Sequence, residues 1–387
     1  MNTVLSISQR NTVLLTMAKL VAEESEAIIA ANKKDIETFA VDDLAMFDRL
    51  KVDETKIKGM LLSLEQLASQ KDPLGQERFA FTHENGLKIS NKTASFGTVM
   101  IIYESRPDVT IEAGGIAFKS GNKILLKGGK ESINSNLAIV NLWHRALAEN
   151  DIDKNWVEYL NYDRNQTQAF LKNPTQKIDL IIPRGGEKLI AFVKENASCP
   201  VIVSGRGNNF IYVSKDADVQ KALAIIVNAK VAKISACNAL DKVLISELIA
   251  ELISHNVEIL VDDAVKGFTD VKTISNEQIW YEEFLDYKVV IGLVDSTEAA
   301  IAKVNKYCGG HSASIVTTDD NEAKQFMESV DAAAVYQNAS TRFTDGFEFG
   351  LGGELAISTD KLHQRGPIGL QHLVTNKWYI FGDGQIR

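Results

Sequence analysis

With 387 residues, 45% of them apolar and 24% charged, the chain can build two or three globular domains with ample core. Its 51 acidic against 42 basic residues leave a net charge of -9, and the absence of a dense basic run argues against nucleic acid or an anionic membrane as a general partner. Three scattered cysteines, Cys199, Cys237 and Cys308, make neither a disulfide framework nor a metal-binding spacing.

No apolar run approaches the ~20 residues that span a bilayer, and Met1–Ser6 does not open a signal-type segment. The expectation is a cytoplasmic protein with no metal site.

In chain order, the first seventy residues read as helical. Val13, Leu14, Met17, Leu20 and Val21 recur at helical spacing, and so do Ile57, Met60, Leu61, Leu64 and Leu67. Lys71-Asp72-Pro73-Leu74-Gly75 breaks the pattern, and the stretch from Gly86 to Ser95 alternates partly, as a half-exposed strand does. Val99 to Tyr103 is a buried-strand run ending in the polar turn Tyr103-Glu104-Ser105-Arg106-Pro107-Asp108-Val109-Thr110 and an Ala/Gly-rich helix. Asp108, or the N–H groups near it, faces a reacting oxygen there, or simply forms the turn and caps the helix.

The strand from Lys123 to Lys127 follows, with a Gly128-Gly129 turn and a helix around Asn136 to Val140. Lys127 ends its strand where open α/β sheets bind ligands; a solvated loop lysine would have the same local sequence. Asp179 to Pro183 is another buried strand, feeding Arg184-Gly185-Gly186 and an amphipathic helix through Leu189, Ile190, Phe192 and Val193. This is no GxGxxG fingerprint. Small residues and N–H groups at a helix start still suit a pyrophosphate, with Arg184 adding charge; an ordinary βα turn is the alternative. Continuous apolar strands alternating with helices predict a parallel sheet covered on both faces.

Cys237 lies in Asn228 through Asp241, among small residues, with Lys230 and Lys233 upstream and Asn238 after it. Room at the sulfur and nearby positive charge favour a nucleophilic thiolate; an isolated cysteine beside apolar residues is otherwise a core filler. Strand-like runs then recur at 243–245, 258–261, 289–294, 314–317 and 333–336, predicting a second α/β domain. His311, on a Gly309-Gly310 turn, is a ligand donor or a loop residue. Arg342, in Asn338-Ala339-Ser340-Thr341-Arg342-Phe343-Thr344, is a two-pronged carboxylate clamp or a surface ion pair. The tail through Trp378-Tyr379-Ile380-Phe381 has the look of an exposed edge, pairing with the Gly86–Ser95 arm or with another subunit.

Taken together, these stretches resemble the gamma-glutamyl phosphate reductase (glutamate-5-semialdehyde dehydrogenase) family of the aldehyde dehydrogenase superfamily. The residues that carry the resemblance are Tyr103-Glu104-Ser105-Arg106-Pro107, Lys119-Ser120-Gly121-Asn122, Lys127-Gly128-Gly129-Lys130-Glu131, 178–186, Lys215-Asp216-Ala217-Asp218, Ala236-Cys237-Asn238-Ala239, 335–346 and the terminal Gly382-Asp383-Gly384-Gln385-Ile386-Arg387. The match runs from about Asn32 to the C-terminus.

The resemblance implies an α/β, aldehyde-dehydrogenase-like fold in three parts. A Rossmann-like cofactor-binding domain spans 1–85 and 98–230, an α/β catalytic domain 231–355, and a small β oligomerisation element 86–97 and 356–387. It further implies NADPH-dependent reduction of L-glutamyl 5-phosphate to glutamate 5-semialdehyde, on the way to proline, by a homo-oligomer that receives its substrate by handover from glutamate 5-kinase.

By the same resemblance Cys237, Asp108 and Asn238 are catalytic. Lys127, Arg184, Gly185, Gly186 and Glu283, or its neighbour Glu282, hold the cofactor, while Arg106, His311, Asn338, Ser340, Thr341 and Arg342 hold the substrate. Aldehyde-oxidising relatives use a general-base glutamate whose counterpart stretch here, 203–209, contains no acid.

Three departures stand out. Many relatives have Asn at the position of Asp108, so this carboxyl either stays protonated or leaves the oxyanion to backbone groups. Lys233-Ile234 replaces a more usual Arg-Pro or Tyr-Pro, and 204–209 lacks the family's histidine. The alternative is a related enzyme of the same fold acting on another small acyl or aldehyde substrate.

Overall fold

The computed structural model describes residues 5–39, 44–205, 207–234, 236–245, 257–262, 265, 271–274 and 276–387. Arg206 and Ser235, in two of the stretches singled out above, and the opening Met1–Val4 lie outside the described residues. Two compact units emerge: Met1–Val203 with Gly350–Ala356 and Ile368–Arg387, and Ser204–Phe349 with Ile357–Pro367.

The first unit opens with helices Ile7–Glu23, Ser25–Glu37, Leu44–Leu50 and Glu54–Ser69. Ser6 and Gln9 form a capping box that starts the first, and the Asp53 carboxylate accepts from the Lys56 N–H to start the fourth. The apolar stripe expected on these helices is buried: Val13, Leu14, Met17, Leu20 and Val21 on one, Ile57, Met60, Leu64 and Leu67 on another.

Strands β1 (Glu77–Thr82) and β2 (Lys88–Ala94) pair antiparallel. Strands β3 (Thr98–Tyr103), β4 (Lys123–Lys127), β5 (Val157–Tyr159) and β6 (Leu180–Arg184) form a parallel sheet in the order β5-β4-β3-β6. Alternation along β3 explains its unbroken apolar sequence. Val99, Ile101 and Tyr103 pack with Leu14, Met17 and Leu64, while Met100 and Ile102 turn to the other face against Phe170, Leu171 and Val193. The chain leaves β3 toward β4 and β5, then returns to β6 on the other side. That reversal makes a switch point between β3 and β6, where Tyr103 and Arg184 are register partners.

The second unit holds a seven-stranded parallel sheet. Its strands are β7 (Asn209–Val213), β8 (Leu240–Ile245), β9 (Glu258–Val261), β10 (Lys272–Thr273), β11 (Lys288–Leu293), β12 (Ser312–Val316) and β13 (Ala334–Gln337), in the order β10-β9-β11-β8-β7-β12-β13. Both faces are covered again: Ile211, Val213, Val243 and Ile245 line one core, Phe210, Tyr212 and Leu244 another. The contact boundary falls after Val203 rather than at 230, because β7 is hydrogen-bonded between β8 and β12.

A short ribbon, β14 (Ala356–Ser358) and β15 (Gly366–Ile368), follows. Strand β16 (Thr375–Phe381) then pairs antiparallel with β2, from Thr375 opposite Ala94 to Phe381 opposite Lys88. The tail thus meets the arm within one chain. Among the described residues no helix is long and apolar enough to cross a membrane.

Candidate active site

Cys237 is partly exposed, whereas Cys308 is buried. Burial pushes the Cys308 thiol up, and the Cys199 thiol as well. The turn that presents Cys237 precedes β8, at the N-terminal edge of its sheet, and is fixed from two sides.

On one side Asn209, fully buried at the start of β7, uses its side-chain amide as donor to the carbonyls of Cys237 at 2.7 Å, Ala239 at 2.7 Å and Gly207 at 2.6 Å. Its neighbour Asn208 donates to the carbonyls of Trp280 and Tyr307, both at 2.7 Å. A Cβ added at Gly207 would overlap the Cys237 carbonyl, so only glycine permits this approach.

On the other side the Asn238 amide donates to the carbonyls of Arg342 and Thr344, both at 3.0 Å, and the Thr341 hydroxyl donates to the Asn238 carbonyl at 2.9 Å. The Thr344 hydroxyl is within 2.7 Å of both Ser312 Oγ and Tyr336 OH, and Ser312 Oγ is 2.8 Å from His311 Nδ1. His311 is wholly enclosed, and burial pushes its imidazole down to about 4, so it is neutral at working pH.

Asn338, in the left-handed region at φ 54°, closes both side-chain atoms onto the Thr317 backbone. Ser340 Oγ accepts from the Arg342 N–H. Asn338, Ser340 and Thr341, all expected on substrate, thus spend these polar groups inside the protein; His311, expected there too, does so at Nδ1, while its enclosed Nε2 has no partner among the described residues.

Arg342 differs. Its Nε and Nη1 are enclosed and have no hydrogen-bond partner among the described residues. Burial lowers its pKa, against the opposing fields of Cys237, Asp345 and Glu348. A half-buried guanidinium with two open, enclosed donors in the field of a cysteine sulfur suits an anion.

Glu283 also belongs to the second unit, in the extended stretch that follows the turn Glu277–Tyr281. The buried Lys242 anchors that stretch, donating to the Glu282 carbonyl at 2.7 Å with its ammonium 4.0 Å from the Phe284 ring centre. Burial, set against the field of Asp241, pushes the Lys242 amine down to about 7.

Lys127, Arg184, Gly185 and Gly186 belong to the first unit. Gly186 begins helix Glu187–Asn196 with no side-chain cap, and its N–H donates to Glu104 Oε2 at 3.0 Å. A Cβ at Gly185 would overlap that same carboxylate and crowd Leu189. A glycine cradle at an uncapped helix start beside Arg184 fits a dinucleotide phosphate, with the Glu104 carboxylate already showing where an anion is accepted. Lys127 donates to the Gly128 carbonyl at 2.8 Å; burial lowers its pKa while Glu131, Glu104 and Asp163 oppose.

Around the switch point, Arg106 pairs with Asp108 at 3.0 Å. Burial pushes the Asp108 carboxyl up, but Arg106 and Lys56 outweigh it and leave it below the usual carboxylate range. Asp108 is therefore ionised; its Oδ1 is enclosed and has no hydrogen-bond partner among the described residues. One helical turn on, burial and then the Asp108 charge push Glu112 up to about 7. Of the two carboxyls, Glu112 carries the proton.

A raised carboxyl is most at home in the folded state when protonated. Its contribution is thus full below about 4.5 and lost as pH rises toward about 7. Glu112→Gln should therefore stabilise the protein by about 2 kcal/mol at pH 8 and hardly at all at pH 4.5 to 5. Urea unfolding at the two pH values reads this directly, and an equal effect at both would contradict it.

Glu112, Lys56, Gly207, Asn208 and Asn209 were not anticipated from the sequence. The doubled asparagine at the head of an apolar run was the one local signal available.

A family model described as "Aldehyde dehydrogenase family" matches residues 3–265 and 268–378. The chain is 43% identical over 397 residues to the gamma-glutamyl phosphate reductase of Caldanaerobacter subterraneus subsp. tengcongensis, covering 99% of this chain and 95% of that protein. It is 41% identical over 391 residues to the enzyme of that name from Clostridium botulinum, covering 98% and 94%. The crystal structure of gamma-glutamyl phosphate reductase from Thermotoga maritima superposes with a TM-score of 0.93 at 38% identity, covering 99% of this chain and 95% of that one. The chain belongs to the aldehyde dehydrogenase family and, within it, to the gamma-glutamyl phosphate reductases.

Proposed function

We propose that this chain reduces L-glutamyl 5-phosphate to L-glutamate 5-semialdehyde with release of phosphate, through a thioester on Cys237. The observation that carries the reading is the pairing of a partly exposed cysteine, on a turn fixed by Asn209 and Asn238, with the half-buried guanidinium of Arg342, whose field reaches it. Cys237 thiolate attacks the acyl carbonyl and phosphate leaves. A bound reduced nicotinamide, taken as NADPH, supplies the hydride. Cys237 departs as thiolate when the resulting hemithioacetal collapses to the aldehyde.

Arg342 holds the carboxylate of the substrate's amino-acid end. His311, Asn338, Ser340 and Thr341 set the loop that carries it, and Asn238 joins that loop to the nucleophile. Ionised Asp108 can accept a hydrogen bond but not donate one, so the oxyanion falls to backbone N–H groups at the Cys237 turn; such a donor is typically worth ~10²–10³ in rate. Lys127, Arg184, Gly185 and Gly186 hold the cofactor phosphates and adenosine ribose, Glu283 the nicotinamide ribose, and Arg106 the substrate.

The test is oxidation of glutamate 5-semialdehyde with phosphate or with coenzyme A as acyl acceptor, using NADP and NAD in turn. Phosphate-dependent NADP reduction supports the reading; turnover with coenzyme A alone assigns the chain to another acyl substrate. The absence of any carboxyl side chain in 203–209 to activate water agrees with phosphate as acceptor.

The proposed working form is a cytoplasmic homo-oligomer, taking its labile acyl phosphate from glutamate 5-kinase. All six residues of β1 are exposed, as are six of seven in β16, and Phe79, Phe81, Trp378, Ile380 and Phe381 are among them. A three-stranded sheet with that much apolar surface in water calls for a cover, and a second copy supplies one. Trp378→Lys combined with Ile380→Asp should shift the sedimentation coefficient toward the monomer. An unchanged assembly would place the subunit contact elsewhere.

A further inference from the structure

Ser105 links β3 to the turn that carries Arg106 and Asp108. It is 1% exposed and sits at φ 44°, in the left-handed region that residues with a Cβ rarely adopt. Buried strain of this kind persists only where surrounding groups enforce it. The enforcing group is Glu131, whose Oε1 accepts from the Ser105 backbone N–H at 2.7 Å and from the Ser105 hydroxyl at 2.9 Å.

Glu131 comes from the turn after β4 and folds back over it so closely that a Cβ at Gly129 would overlap its carboxylate. At Gly128 a Cβ would overlap the Asn136 amide, which is itself 3.3 Å from Tyr159 OH. The turn that anchors Glu131 is therefore packed as well as bonded. Two backbone turns at the C-terminal edge of one sheet are joined through a single carboxylate.

We propose that Glu131 is a positioning residue that holds Ser105 left-handed and so sets the placement of Arg106 and Asp108, coupling their turn to the Lys127-Gly128-Gly129 turn. The catalytic part of this inference rests on the substrate and cofactor roles proposed above; the conformational part does not.

The test uses full-length Glu131→Ala, Glu131→Gln, Ser105→Gly and the Ser105→Gly/Glu131→Ala double variant. Three readouts are taken: hydrogen exchange of the segment 104–110 by mass spectrometry, thermal midpoint, and kcat with the separate KM values. Glu131→Ala should speed exchange in 104–110 at least tenfold and lower kcat about tenfold, without a matching loss at other segments. Glu131→Gln, which keeps an oxygen acceptor, should recover most of both losses. In the double variant glycine adopts the left-handed conformation unaided, so the kcat loss should be smaller than in Glu131→Ala.

Unchanged exchange in Glu131→Ala overturns the proposal whatever the activity. So does a double variant whose losses simply multiply. If exchange responds as expected while no variant or wild type turns over with phosphate, the positioning stands and the substrate reading fails.

Discussion

Replacing Cys237 by serine is expected to lower turnover about 10³-fold or more while leaving nicotinamide binding and the thermal midpoint nearly unchanged. A serine hydroxyl is far from its pKa at neutral pH, whereas a thiol is not, and the Asn209 and Asn238 amides that fix the turn both address backbone carbonyls. The substitution is small enough to keep that scaffold, because Asn209 and Thr341 hold the turn by the backbone carbonyls of Cys237, Asn238 and Ala239. Cofactor titration by fluorescence separates the outcomes. Lost activity with retained binding is the expected pair of results, and substantial residual turnover would remove the thioester from the account.

Arg342→Ala is expected to lower kcat/KM for the acyl substrate about 10²- to 10³-fold, the size of a two-pronged charge-assisted contact in a partly buried site. Most of the loss should appear in KM if the guanidinium clamps the substrate carboxylate. Arg342→Lys should recover only part, since an ammonium offers a point charge where the planar guanidinium offers donors in fixed directions, Nε and Nη1 among them. The field between Arg342 and Cys237 adds a second expected result. Loss of the cation should slow alkylation of Cys237 by iodoacetamide at pH 7 several-fold. Full affinity for substrate in Arg342→Ala would assign the clamp to another cation.

Much of the scaffold was legible because its signals are local. The runs at 99–103, 124–126 and 180–182 are apolar without interruption, and strands covered on both faces need that pattern. The tail reads as an exposed edge and the Gly86–Ser95 arm as a half-exposed strand, and they pair with each other as β16 and β2. What escaped depends on partners far apart in sequence. Asn209 meets Cys237 across 28 residues and Asn238 meets Thr344 across 106, and no spacing rule reaches that far.

His311 illustrates the limit from the other direction. A glycine turn predicts a mobile, reachable imidazole, but Ser312 begins a buried strand and carries the ring into the core with it. Strand β7 escaped because two asparagines at its head look like a turn, whereas their amides are clamps. The carboxyl question at Asp108 was open in the sequence for a similar reason. Lys56, brought in from a distant helix, and Arg106 decide which acid is ionised, and Glu112 takes the proton instead.

The most direct measurement is peptide mass spectrometry of the wild-type enzyme incubated with glutamate 5-semialdehyde and NADP in the absence of phosphate. Oxidation without an acyl acceptor should leave a glutamyl adduct on the peptide containing Cys237, and adding phosphate should discharge it. A peptide that stays unmodified while NADP is reduced, or an adduct carried by any other residue, would contradict the account.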